Sequence, residues 1–513
     1  MTKRLLSKSL LLVLLIWLIT RVVFYSVYYT YVDYDEVNYL YSSKHLLEMQ
    51  EDIQVGPVVY LLTLPFFQAG LPYTYSKLPF IFVDLALLLA LYYICNRKSE
   101  KTALYASLFY LMAPMNLRNS YHVQTDMAAF LFFLLAAYFF VRYHTETKNK
   151  YLVYSAAMAT LSGLTKEIIF CFYIVLLLYL LIQHKFIKRV NLRTFISTLT
   201  LIFISAIAVK LILHFLWVKS PDRALFGFLL DFLRTGSILG NGILFIVLTY
   251  FMFVNPVSIV LGAQSLKDLI VKIWKKKAPA DWWFNYKLIS ILSFGVIALF
   301  FAFHILAPKF AAYLVPLYAI YAAEGFQKYN RKIIALLIGF AICFTLVIEY
   351  EQDSIAVNDL TSIFNTVPGS TIYTDREAVR MRSLLDLKTN KTMGLTTAQE
   401  LPLLAKNQMI YAFTAGKDHE EAFDSILNKT GTPYKKINIY VAEMERYVYG
   451  IGTEARLPPP PPVHRSQFMQ PIRTSIEERI FAFLIRLKAR YCADPWFGED
   501  RVYRYSCLWQ KWE

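Results

Sequence analysis

A chain of 513 residues that is 57% hydrophobic and 16% aromatic exceeds the apolar share of a soluble globular protein, about 45–50%. Its net charge of +16 would suit nucleic acid, but the basic residues gather in clusters that border apolar runs, the asymmetry that orients membrane helices. Nucleic-acid binding is thereby excluded, and a polytopic membrane protein is indicated.

In chain order, Leu10–Tyr25 is the first apolar run long enough to cross hydrocarbon, followed by Ala128–Val141, Phe195–Val218 and Ile333–Ile348. The first run meets Arg21 and a Tyr-rich stretch with no small-residue cleavage site, so it reads as a retained span rather than a signal peptide. Residues 27–76 then form the first outer loop, which opens on Asp33-Tyr34-Asp35-Glu36. Carboxylates beside a bilayer are expensive to desolvate. The cluster is either a solvated loop start or part of an active site at the outer face.

The basic clusters are Lys3/Arg4/Lys8, Arg97/Lys98/Lys101, Arg142/Lys148/Lys150, Lys185/Lys188/Arg189/Arg193, Lys267/Lys272/Lys275/Lys276/Lys277 and Lys328/Arg331/Lys332. If all are cytoplasmic, each stretch between them crosses an even number of times. Tyr151–Gln183 would be roughly 50 Å long as one helix, too long for a core of about 30 Å, so it divides at Thr165-Lys166-Glu167. Thr102–Val141 divides likewise at Pro114–Asp126, and Leu288–Ala323 at His304–Lys309. About eleven transmembrane helices result, with the N-terminus cytoplasmic and residues from about 350 onward extracytoplasmic. Asp33/Asp35/Glu36, Arg118/His122/Gln124/Asp126, Lys166/Glu167, Asp222/Arg223 and His304/Lys309 then share one face. Singly, each fits a snorkelling or helix-end side chain; together they read as one outer cleft. Asp84, Lys210 and Asn255 are the polar residues within spans, and no internal repeat is evident.

From Gln352 the composition becomes globular. Ser370–Thr374, Gln408–Phe413 and Lys436–Val441 read as strands, and Arg376–Leu387 and His419–Leu427 as helices, giving a soluble α/β domain. Pro458–Pro462 is a stiff spacer, and Thr474–Arg490 an amphipathic helix. The domains are therefore 1–350 (all-α, membrane), 351–457 (extracytoplasmic α/β) and 458–513 (spacer, helix and tail). Cys95, Cys171 and Cys343 read as packing residues, Cys492 and Cys507 as candidates for an outer disulfide, and Asn390 and Asn428 open sequons.

Four stretches resemble the GT-C superfamily of integral-membrane glycosyltransferases, in the branch of dolichyl-phosphate-mannose–protein mannosyltransferases and aminoarabinose transferases. They are Tyr34-Asp35-Glu36-x-x-Tyr39, Gly56-Pro57 before an apolar helix, Gly163-Leu164-Thr165-Lys166-Glu167, and Pro308-Lys309-Phe310-x-x-Tyr313-Leu314-x-Pro316. The resemblance covers roughly residues 5–350. Lys309 stands near where the family carries an Arg, and an ammonium is not equivalent to a bidentate guanidinium. The Trp-Trp-Asp motif of oligosaccharyltransferases is absent, Trp282-Trp283 being followed by Phe284.

The resemblance implies transfer of a sugar, mannose or another hexose, from a polyprenyl- or dolichyl-phosphate donor to a protein or lipid-linked glycan acceptor, with inversion. Asp35 matches the family's base, although periodicity alone does not separate it from Asp33 and Glu36. A membrane-edge carboxyl is a good base because partial desolvation raises its pKa. Lys166, His304, Lys309 and Arg118 are suited to neutralise the departing phosphate. Glu36, Asp126, Asp33, His122 and Glu167 are suited to orient the base or hold a divalent cation. Localisation is the cell membrane, or the endoplasmic reticulum membrane in a eukaryote. The competing class is a polytopic transporter or lipid flippase, which should place titratable residues at mid-bilayer and show repeat symmetry. A receptor whose outer domain does the work leaves the polar outer turns unexplained.

Overall fold

The computed structural model describes residues 7–28, 34–44, 46, 56–166, 168–187, 192–215, 252–275, 279, 281–304, 311–350, 371–374, 392–395, 397–406, 409–415, 417–441 and 444–452. Asp33, Glu167, Asp222/Arg223, Lys309, Asn390, the helix expected at 376–387, the proline spacer, the helix expected at 474–490 and Cys492/Cys507 lie outside them. The chain divides into two compact units, Met1–Tyr29 with Ser42–Ile348, and Thr30–Tyr41 with Glu349–Glu513.

The first unit is helical: α1 (Lys8–Tyr28), α3 (Pro57–Gln68), α4 (Leu78–Asn96), α5 (Glu100–Leu111), α6 (Pro114–Asn119), α7 (Thr125–Glu146), α8 (Asn149–Thr165), α9 (Ile169–Ile182), α10 (Leu192–Phe215), α11 (Pro256–Trp274), α12 (Trp282–His304), α13 (Ala311–Gln327) and α14 (Lys332–Tyr350). The helix α2 (Tyr34–Lys44) straddles the division. Residues 27–76, expected as a polar loop, thus contain α2, α3 and a 3-10 turn at Tyr73–Lys77. Prolines in the first turn start α3, α4, α6 and α11, where the missing N–H costs nothing. Ser99 caps α5 by accepting from the Thr102 amide at 3.1 Å.

Five helices among the described residues are long and apolar enough to cross a membrane, and three shorter ones are apolar. Two of the three expected helix breaks fall among the described residues: α5 ends at Leu111 and α7 begins at Thr125, and α8 ends at Thr165 and α9 begins at Ile169; residues 305–310, between α12 and α13, lie outside them.

Contacts sort the helix ends into two groups. Ser9 bonds Tyr92 and Glu100, Gln327 reaches Thr102, and Arg97 lies over the Trp282 ring at 5.0 Å. This end carries the basic clusters. At the other, Tyr28 stacks on Tyr121 at 5.8 Å and Tyr25 donates to the Thr74 carbonyl at 3.2 Å. Close backbone contact needs glycine at Gly325, where a Cβ would lie 1.8 Å from the Leu261 carbonyl oxygen.

Deep in the spans, Arg21 of α1 meets Asp84 of α4 through Nε at 2.9 Å, with both groups almost wholly buried. Trp17 Nε1 (2.6 Å) and the Tyr110 hydroxyl (2.5 Å) complete the carboxylate. Two opposite charges that the sequence left separate are thereby paired. Asn255 ties three segments, donating to the carbonyls of Met112 at 2.9 Å and Gly339 at 2.7 Å. Cys95, Cys171 and Cys343 are buried free thiols.

In the second unit β1 (Thr371–Thr374), β2 (Thr392–Leu395), β3 (Ile410–Ala415), β4 (Tyr434–Val441) and β5 (Met444–Ile451) form one mixed sheet in the order β2-β1-β3-β5-β4. Strand β1 runs parallel to β2 and β3; β5 is antiparallel to β3 and β4. The alternating Ile410 and Ala412, facing Tyr449 and Ile451, form one core with Leu401 and Ala405 from α15 (Leu401–Leu404) and its end, and with Phe423 and Leu427 from α16 (Lys417–Lys429). Lys436 forms ion pairs with Glu420 and Asp424 of α16. Burial and the Asp424 charge raise the Tyr449 phenol well above its ordinary range.

Asp84→Ala is expected to lower stability by about 3–5 kcal/mol, because Arg21 is left charged and buried. Arg21→Met combined with Asp84→Leu should recover most of it. Thermal unfolding in detergent checks this; equal losses in the single and double variants would sink the ion-pair explanation.

Candidate functional site

The turn between α5 and α7 is short, buried and polar. Asn116, Asn119, Ser120, His122, Gln124 and Thr125 are fully buried, and Arg118 and Asp126 nearly so. Such a run is expensive to bury, and it contains three residues chosen from the sequence: Arg118, His122 and Asp126.

Asp126 is the hub. It lies in the first turn of α7, where the helix N-terminus favours negative charge, and its side chain is 1% exposed. Lys166 Nζ, one residue beyond α8, donates to Asp126 Oδ1 at 2.6 Å. The Tyr313 hydroxyl of α13 donates to the same oxygen at 2.5 Å, and Phe130 packs edge-on to the Tyr313 ring at 5.5 Å. Residues 126, 166 and 313 are thus brought together by three helix ends. The structure supplies Lys166 with Asp126 as a partner across the α7–α8 pair.

Two of the motif glycines explain how Lys166 is placed. Gly56, at the start of α3, abuts the end of α8 so closely that a Cβ would sit 1.6 Å from the Leu164 carbonyl oxygen. Gly163 abuts Val209 of α10. The Gly56-Pro57 and Gly163–Lys166 stretches, far apart in sequence, are one junction. Ser155 and Ser162 of α8 bond the Ala136 and Ala129 carbonyls of α7, both near 2.9 Å, and hold the two helices in register.

The remaining candidates are less fully placed. Glu36 is wholly buried on α2. Asp35 is on the same helix and His304 ends α12, but their side chains, like Asp33, Glu167 and Lys309 altogether, lie outside the described residues. Among the described residues no three His, Cys, Asp or Glu side chains gather, and Asp126 Oδ1 is taken by Lys166 and Tyr313. Sequence reasoning missed Lys77, wholly buried just before α4, and the role of Tyr313. A lysine between an apolar helix and a Leu-Pro helix start was the available signal for the former.

A family model described as dolichyl-phosphate-mannose-protein mannosyltransferase matches residues 55–213, the stretch holding Gly56, the polar turn and Lys166. Among solved structures, ArnT from Cupriavidus metallidurans bound to undecaprenyl phosphate has a TM-score of 0.60 at 13% identity, covering 86% of this chain and 97% of that one. Its apo form gives 0.56 at 14% identity, covering 85% and 97%. The apo oligosaccharyltransferase of Archaeoglobus fulgidus gives 0.53 at 12% identity, covering 84% and 69%. No curated protein matches significantly. The GT-C resemblance is borne out in fold by these structures and, over residues 55–213, by the matched family model, and the chain is an integral membrane protein of mostly helical architecture.

Lys166→Met is expected to destabilise the protein by about 3–5 kcal/mol, since it strands the buried Asp126 carboxylate. Adding Asp126→Asn should restore most of the loss. Denaturation midpoints of the two variants decide the matter: no recovery in the double variant would mean that the pair is not what Lys166 contributes.

Proposed function

We propose that the chain is a glycosyltransferase that moves a sugar, mannose or another hexose, from a polyprenyl- or dolichyl-phosphate donor to an acceptor hydroxyl at the outer membrane face, with inversion and with Asp35 as base. The observation that carries this reading is the Lys166–Asp126–Tyr313 contact. It holds an ammonium in a largely buried setting at the helix ends opposite the basic clusters, where the leaving phosphate of a lipid donor would lie. Support comes also from the matched family's description and from the undecaprenyl phosphate named with the ArnT structure.

In one displacement, the acceptor hydroxyl gives its proton to Asp35 while its oxygen attacks the anomeric carbon. The bond from that carbon to the phosphate oxygen breaks, and the electron pair leaves with the phosphate. Asp126 fixes the position of the Lys166 ammonium, so negative charge developing on the phosphate is met by a preset cation rather than by reorganising water. Arg118 and Lys77 add positive charge at the same helix ends, and His304 and Lys309 are assigned the same task from the sequence alone. Glu36 orients Asp35. No step is routed through a metal ion.

The topology that goes with this has eleven passes, a cytoplasmic N-terminus and residues beyond 350 outside, divided as 1–350, 351–457 and 458–513, in the cell membrane or the endoplasmic reticulum membrane. The acceptor is a protein or a lipid-linked glycan. A transporter is disfavoured because the described charge pair deep in the spans, Arg21–Asp84, is closed by Trp17 and Tyr110.

Asp35→Asn keeps shape but removes basicity, and should reduce turnover by roughly 10²–10⁴ while donor binding persists. Asp33→Asn should cost far less. Turnover within about tenfold of the parent for Asp35→Asn, with loss in Asp33→Asn or Glu36→Gln, would reassign the base.

A further inference from the structure

Four buried side chains of the turn between α5 and α7 carry polar atoms with no hydrogen-bond partner among the described residues. They are the amide nitrogen and oxygen of Asn116, the same two atoms of Asn119, the Thr125 hydroxyl, and Oδ2 of Asp126. Native proteins leave few such atoms, because a buried donor or acceptor deprived of water is costly. Outside this turn the orphaned atoms are isolated ones on Ser76, Ser107, Ser258, Ser293 and Trp282. Here six fall within eleven residues. Asn116 and Asn119 are three apart on α6 and share a face, while Thr125 and Asp126 open α7.

The types of open atom select the ligand. Asn116 Oδ1, Asn119 Oδ1 and Asp126 Oδ2 only accept, the two amide nitrogens only donate, and the threonine hydroxyl does both. At these four side chains a phosphate, which at neutral pH has almost no protons to give, would meet three acceptors, one of them a carboxylate; the cation in the same turn is Arg118. A hydrocarbon chain would satisfy nothing. Hydroxyl groups both donate and accept, and vicinal hydroxyls match a pair of neighbouring amides.

Resting on the glycosyltransferase reading above, we infer that Asn116, Asn119, Thr125 and Asp126 Oδ2 bind hydroxyls of the sugar ring carried by the lipid donor. The turn selects the sugar, and Lys166 next to it serves the phosphate. Asp126 joins the two tasks, one carboxylate oxygen on each.

Asn116→Leu and Asn119→Leu, near-isosteric and apolar, test this in the full-length protein in detergent, with Asn→Ala at the same positions as second variants. Binding is measured for undecaprenyl phosphate and for a panel of undecaprenyl-phosphate pentoses and hexoses. The parent should bind at least one sugar-bearing donor more tightly than undecaprenyl phosphate. Each substitution should weaken that donor by roughly tenfold and leave undecaprenyl phosphate within about twofold. Without ligand, the Leu variants should unfold no earlier than the parent, because they remove an orphaned amide; a merely structural asparagine would lower the midpoint. An unchanged preference for the sugar-bearing donor overturns the inference, as does equal weakening of both lipids. Intact donor binding with a raised KM for the acceptor would give the hydroxyls to the acceptor and overturn the donor assignment. A parent that binds undecaprenyl phosphate and every loaded donor alike sinks this inference alone; a parent that binds none of them sinks the lipid-donor reading itself.

Discussion

One buried carboxylate organises the polar end of the helical unit. Lys166 and Tyr313 reach the same oxygen of the buried Asp126 carboxylate, and the start of α7 adds a favourable dipole. That shared contact fixes where α8 must end and α13 must begin. The glycine at 56 lets α3 approach the end of α8 at backbone distance, and Tyr28 brings the end of α1 onto Tyr121 in the same turn. Any lengthening of these helices by a turn would move its side chain by about 5 Å and break the contact.

The polar groups of this chain obey two different rules. Within the spans the strongest of them are closed: Arg21, Trp17 and Tyr110 fill Asp84, and Asn255 spends its amide protons on two carbonyls, leaving isolated hydroxyls open among the described residues. At the end opposite the basic clusters, Asn116, Asn119, Thr125 and Asp126 keep atoms open among the described residues. Closed networks hold helices together in a solvent that offers no hydrogen bonds; open ones ask for a ligand. That contrast separates scaffold from site without reference to any relative.

Much of this arrangement was legible in the sequence, for a physical reason. A helix longer than the bilayer must break, so length and basic clusters alone located the breaks at Pro114–Asp126 and Thr165–Glu167. Strands β1, β3 and β4 overlap segments rich in Ile, Tyr and Phe. What the sequence hid were pairings across helices. Lys166 and Asp126 are 40 residues apart, and Arg21 and Asp84 are 63 apart; neither spacing carries a local signal. Strands β2 and β5 escaped notice because Gly394 and Gly450 with scattered polar residues blur their alternation. The asparagines at 116 and 119 looked like ordinary turn residues until their burial was known.

The most direct test is to place the purified protein in liposomes with undecaprenyl- or dolichyl-phosphate sugars labelled in the sugar, together with membrane extract as a source of acceptors. Transfer of label to an acceptor with stoichiometric release of the bare lipid phosphate, strongly slowed by Asp35→Asn, is the expected result. Movement of intact labelled donor between leaflets without cleavage would contradict it and identify a flippase instead.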